Sequence, residues 1–105
     1  MTDSSTAARE ESLDFTPPLL DDRARGSIQV LVVDDDRSTR VSCASLLRND
    51  GFAVTVASRG DRALRMVRSG SFDVLLVDLY LPRVSGLEVL EAAKESSPDM
   101  VSIVM

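Results

Sequence analysis

Residues 28–36 read I-Q-V-L-V-V-D-D-D, and residues 73–78 read D-V-L-L-V-D. Both are β-branched and leucine-rich runs closed by acid. Near-continuous apolar runs of this length mark strands buried on both faces, as parallel sheets require. Between and beyond them the pattern changes period. Residues 37–49 form a helix on the spacing of Val41, Ala44 and Leu47, ending at Asn49-Asp50-Gly51, where glycine accepts a left-handed cap. Residues 53–57, A-V-T-V-A, form a second strand. Ser58 stands three before Asp61, a helix start resembling a capping box. Ala63, Leu64 and Val67 then define a short helix that stops at Gly70. After the third strand, Ser85 and Glu88 frame another capping box, opening a helix with Leu87, Leu90 and Ala93 that ends before Pro98. Residues 101–105, V-S-I-V-M, read as a fourth strand. Strand and helix alternate throughout, the signature of a parallel α/β sheet.

A chain of 105 residues is the size of one domain. It carries 17 Asp+Glu against 12 Lys+Arg, net −5. That balance argues against gripping nucleic-acid phosphates, which needs clustered cations. Without histidine, and with Cys43 as the one cysteine, His-based triads, cysteine-rich zinc sites and intramolecular disulfides are excluded. A metal would be held by oxygen, which selects magnesium, calcium or manganese. No apolar run reaches membrane-spanning length, and the start lacks a secretory pattern. A cytoplasmic location is expected. Residues 1–26 are polar and acidic, with Pro17-Pro18 among them, and are expected to form a flexible leader. Leu13, Phe15, Leu19 and Leu20 are its candidate docking anchors. Because the last residues lie inside an apolar strand, the chain is expected to be a piece of a larger protein.

In open parallel sheets ligands bind beyond the carboxyl ends of the strands. Asp34, Asp35 and Asp36 follow the first strand and Asp78 follows the third. If these strands are neighbours, Asp34, Asp35 and Asp78 converge. Two carboxylates ~4 Å apart repel by about 4 kcal/mol at an effective dielectric of ~20, so such a pocket holds a proton or a cation. Magnesium with retained waters fits a site with few oxygen ligands. The plainer alternatives are a helix cap for Asp34–Asp36 and a turn for Asp78.

The segments V-L-V-V-D-D-D-R-S-T-R and D-V-L-L-V-D-L-Y-L-P-R-V-S-G-L-E-V-L together resemble the receiver (response regulatory) domain of bacterial two-component signalling. The resemblance covers residues 27–105, about two-thirds of such a domain. It rests on the acidic pair, an Asp 43 positions after Asp35, and Pro82 and Gly86 at the family's spacing. It implies a flavodoxin-like α/β fold, here with four of five strands and three of five helices. It implies that Asp78 is the phosphoacceptor and also a metal ligand, Asp35 a direct magnesium ligand, Asp34 a partner reaching the ion largely through water, and Tyr80 a ligand through its backbone carbonyl. Pro82 and Gly86 would shape the adjoining loop. The donor would be a phosphohistidine on a sensor histidine kinase or phosphotransfer protein, or a small acyl or amido phosphate. The segment itself would bind neither nucleic acid nor membrane, and a homodimer of the full-length parent is left open.

Two family parts are absent: the hydroxyl residue after strand four and the lysine ending strand five. Lys94, the one lysine, is expected on the third helix, where it cannot fill that role. Strand five and the last two helices are missing too, which would leave the fourth strand an exposed apolar edge, so the chain as it stands is expected to be aggregation-prone or loosely folded and to phosphorylate poorly. Two other classes are weighed. A receiver-like docking module without phosphorylation is disfavoured for the parent by the presence of all three acids, and stays open for the chain as it stands. A flavin protein of the same topology would need a glycine- or threonine-rich phosphate loop, where this chain has D-D-D-R-S-T-R. Cys43 is read as packing. Arg59, Arg62, Arg65 and Arg68 are read as a solvated face. Ser38, Thr39 and Arg40 open the first helix, which by the resemblance lies near the kinase-docking surface.

Overall fold

The computed structural model describes residues 26–105. The leader and its candidate anchors lie outside them, apart from Gly26. Seven elements follow in strict alternation: β1 (Gln29–Val33), α1 (Arg37–Asn49), β2 (Ala53–Ala57), α2 (Gly60–Ser69), β3 (Val74–Val77), α3 (Gly86–Ser96) and β4 (Val101–Val104). The four strands form one parallel sheet in the order β2-β1-β3-β4. The chain thus reverses its direction of growth between β1 and β3. Both apolar runs that decided the fold lie side by side at the centre, in the register Val30↔Val74 to Val33↔Val77.

Side chains alternate across a strand, and the two faces of the sheet differ. Leu31, Val33, Leu75 and Val77 point to one face and are fully buried. They pack with Ala63 and Val67 of α2 and Val89, Ala92 and Ala93 of α3 as one cluster. On the other face Val30 and Val32 are buried, and α1 leans over β1 and β2 on that side. Ala44 is the fully buried residue of α1, and Leu47 is half-buried. Val41, expected on the same buried stripe, is 48% exposed. The stripe is right in period, but among the described residues no element packs over its first turn.

Both ends of the helices can be traced to sequence. Gly51 follows α1 at φ 95°, the left-handed conformation that glycine adopts without strain. Ser85 and Glu88 form the reciprocal capping box at α3: the Ser85 hydroxyl accepts from the Glu88 N–H, and the Glu88 carboxylate accepts from the Ser85 N–H. The start of α2 departs from expectation. Ser58 is not its cap; Arg59 occupies that position and offers no capping side chain. The Arg59 guanidinium instead donates two hydrogen bonds to Asp61, which takes the carboxylate that the expected box would have used. This pair holds the Asp61 carboxyl down at about 2, chiefly through the Arg59 hydrogen bond.

Arg59, Arg62, Arg65 and Arg68 are all exposed, as expected of a solvated face. Cys43 is a half-buried free thiol. Lys94 lies on α3, exposed.

Candidate acidic site at the strand ends

The switch between β1 and β3 places their carboxyl ends next to each other, and each ends in acid. Asp34, Asp35 and Asp78 bring one carboxylate oxygen apiece to within 4.8 Å of one another. Asp34 is buried, Asp78 half-buried and Asp35 exposed, so the pocket opens to solvent on the Asp35 side. The fourth acid, Asp36, turns away and does what the simpler reading of this run expected. It caps α1, its Oδ2 accepting from the Thr39 N–H at 3.0 Å and from the Thr39 hydroxyl at 2.6 Å. The Thr39 hydroxyl above all, then the Thr39 N–H, lowers the Asp36 carboxyl below its ordinary range, with Arg40 adding a smaller pull.

The backbone holds the converging acids by parallel means. Asp34 N–H donates to the Ala57 carbonyl at 3.2 Å, and Asp78 N–H donates to the Val33 carbonyl at 3.0 Å. These bonds continue the parallel ladders one residue past the strands. Each carboxylate then accepts from the N–H two residues on: Asp34 Oδ1 from Asp36 at 2.9 Å, and Asp78 Oδ1 from Tyr80 at 2.9 Å. This is the local turn that aspartate favours. One oxygen of each is thereby fixed, which sets the plane of the carboxylate. Asp35 makes no hydrogen bond or ion pair among the described residues.

The loop after β3 is shaped by close approach. A side chain on Gly86 would bring its Cβ within 2.0 Å of the Asp78 carbonyl oxygen. A Cβ on Gly60 would meet the Val84 carbonyl oxygen at the same distance. The first residue of α3 thus presses on the backbone of Asp78, and the first residue of α2 on Val84 at the far end of the same loop. Arg83, within that loop, sits at φ 66°, a conformation uncommon for a residue with a Cβ. Pro82 and Leu81 precede it, the latter buried in the core. Gly60 and Arg83 escaped the sequence reading because their roles depend on what lies opposite them in space. Tyr80 is 87% exposed, so its ring contributes little to the pocket wall.

The donor set suits a hard cation. Magnesium binds oxygen at 2.0–2.1 Å, so opposed ligands stand about 4.2 Å apart. The three oxygens lie within 4.8 Å of one another, near enough for one cation to be shared among them, directly or through its waters. Histidine and cysteine ligands are absent from this cluster, which disfavours zinc.

Residues 30–105 match the family model described as the response regulator receiver domain. Response regulator MprA of Mycobacterium ulcerans (strain Agy99) is 38% identical over 79 residues, covering 75% of this chain and 34% of that protein. MprA of Mycobacterium avium (strain 104) is 37% identical over 78 residues, with 74% and 34% covered. The chain spans about a third of the length of these relatives. Among solved structures, a CheY-like receiver domain protein from Methanospirillum hungatei JF-1 superposes with TM-score 0.71 at 31% identity, covering 73% of this chain and 62% of that one. A response regulator from Burkholderia pseudomallei, solved with a phosphorylated aspartic acid, a calcium ion and citrate, gives TM-score 0.69 at 31% identity, covering 74% and 46%.

Proposed function

Because the chain belongs to the response regulator receiver domain family, we propose that its acidic rim is a magnesium-dependent phosphoacceptor site with Asp78 as the residue that takes the phosphoryl group. The observation that carries this reading is the convergence of Asp34, Asp35 and Asp78 within 4.8 Å at a topological switch point, where open α/β sheets bind ligands. Asp35 would hold the cation directly, Asp34 largely through water, and the Tyr80 carbonyl would add a backbone ligand. When bound, magnesium supplies charge neutralisation for the incoming phosphoryl group and for the carboxylates around it.

The chain's own residues do the rest. Tyr80 N–H holds Asp78 Oδ1, which leaves Oδ2 as the nucleophile and fixes its direction of attack. Oδ2 forms a bond to phosphorus as the donor's P–N or P–O bond breaks, and the donor leaves as imidazole or carboxylate. A mixed carboxylic–phosphoric anhydride results on Asp78. Transfers of this kind depend on positioning and charge stabilisation more than on covalent assistance. The buried Asp34 forms the inner wall of the pocket, and the exposed Asp35 leaves the mouth open to a donor.

The partner in this reading is a phosphohistidine on a sensor kinase or phosphotransfer protein, and the compartment is the cytoplasm. No described helix is long and apolar enough to cross a membrane. Intact mass measurement after prolonged incubation with acetyl phosphate tests the reading. The expected result is one added phosphoryl group with magnesium and none with EDTA. No addition under either condition favours a docking module that works without phosphorylation.

A further inference from the structure

We propose that Arg40 is a positioning residue for the acidic rim, holding the metal-binding geometry of Asp34 and Asp35 through the backbone between them. The inference rests on the reading of this rim as a magnesium site.

Every polar group of Asp34 but one is occupied. Its N–H donates to the Ala57 carbonyl, and its Oδ1 accepts from the Asp36 N–H. Its carbonyl oxygen accepts from Arg40 Nη1 at 2.9 Å. Among the described residues, Arg40 supplies the one side-chain clamp on this residue; the other two partners are backbone groups, the Ala57 carbonyl as acceptor and the Asp36 N–H as donor. Arg40 is well placed for the task. It lies in the first turn of α1, is half-buried, and is tied to the cap by its own N–H bond to the Asp36 carbonyl at 3.0 Å. A hydrogen bond from a charged donor is stronger than a neutral one, and partial burial limits its screening.

The Asp34 carbonyl belongs to the peptide plane that leads into Asp35. Because that plane is rigid, holding its oxygen restrains where the Asp35 Cα sits, and with it the point from which the carboxylate reaches the pocket. Asp35 has no partner of its own among the described residues, so the plane before it is its nearest restraint. Arg40 thus acts on the most exposed acid of the pocket from behind, without entering the pocket.

Charge alone predicts the opposite consequence for metal binding. Removing a cation beside a cation site relieves repulsion and should tighten binding. Removing a clamp should loosen it, and losses of 10–100-fold are typical when groups that orient metal ligands are deleted. The sign of the change therefore separates the two accounts, and a purely structural role would lower the melting temperature without changing the affinity of the folded chain.

The test is Mn²⁺ binding to the full chain, followed by the EPR signal of the free ion, in wild type, Arg40→Ala, Arg40→Met and Asp35→Asn, with a thermal melt of each. Arg40→Met keeps the apolar stem and decides the matter if Arg40→Ala fails to fold. The expected result is affinity about 10-fold weaker in the Arg40 variants. Unchanged or tighter binding there, with loss in Asp35→Asn, overturns the role of Arg40 and leaves the metal reading standing. A wild-type chain that binds no Mn²⁺ overturns the metal reading, and this inference with it.

Discussion

The row Val32, Leu76, Ile103 runs straight across three neighbouring strands in register. Val32 is fully buried, Leu76 half-buried and Ile103 47% exposed. The row Val30, Val74, Val101 repeats the gradient, ending with Val101 at 56%. The three strands are alike in composition, so what differs is place in the sheet. Among the described residues, β1 has a strand on either side and α1 over it, and β4 has one neighbouring strand. Apolar content shows that a segment wants burial, and sheet order decides whether it finds it. The functional residues follow the same division. All three converging acids directly follow β1 and β3, the two strands that are paired on both sides among the described residues.

The comparison is broken most decisively by deleting side chains at matched depths. Leu31→Ala, at a position with no exposure, should cost about 2–5 kcal/mol. Ile103→Ala should cost less than half as much, because much of that side chain already meets water. Urea unfolding of both variants measures this, and equal losses would show that β4 is as integral as β1. Next in size is Gly86→Ala, whose Cβ would lie 2.0 Å from the Asp78 carbonyl. It should cost about 1–3 kcal/mol and weaken the acidic site as well, since the same carbonyl follows the Asp78 side chain. A variant that binds Mn²⁺ normally would separate the loop from the site.

A third variant pair sharpens the picture within the rim. Asp35→Ala should weaken magnesium or manganese binding more than Asp34→Ala, as a direct ligand outweighs one acting through water. Titration of both decides, and equal losses count against the assignment. The smallest effect expected is at Asp61, whose ion pair with Arg59 is open to water and lines a surface pocket beside Pro82 and Arg83. Its folded carboxyl is held down at about 2 by Arg59, below the usual 3.9 of an unfolded aspartate. The pair's contribution is therefore present above about pH 4 and fades as pH falls toward 2. Being exposed, it should be small and salt-sensitive. Melts of wild type and Asp61→Asn should converge as pH drops through that window, and a constant gap would contradict the pairing.

The fold was legible because its central evidence is local. A β-branched run closed by acid identifies β1 and β3 without knowledge of their neighbours, and the Ser85–Glu88 box marks the start of α3 from two residues. The acids of the site were legible for the same reason, since strand ends are where such sheets bind ligands. The capping role of Asp36 was present among the alternatives but could not be divided from Asp34 and Asp35 until the turn was seen. What stayed hidden depends on contacts across the chain. Ser58 and Asp61 have the right spacing for a box, yet Arg59 takes the carboxylate first. Val41 keeps helical period but meets no cover. Gly60 and Arg83 answer to a loop more than twenty residues from the first of them, and the reach of Arg40 to a carbonyl six residues back has no signature in spacing.

The central claim is that the rim of β1 and β3 carries metal-dependent phosphoacceptor chemistry, with Asp78 as the acceptor. Its most direct test is tandem mass spectrometry of the chain after prolonged incubation with acetyl phosphate and magnesium, alongside Asp78→Asn. The account predicts a single hydroxylamine-sensitive phosphoryl group on Asp78, absent from the variant, which keeps the side chain's shape but lacks the nucleophilic oxygen. A phosphoryl group on Asp34, Asp35 or any residue of β4, or labelling that persists unchanged in Asp78→Asn, would contradict it.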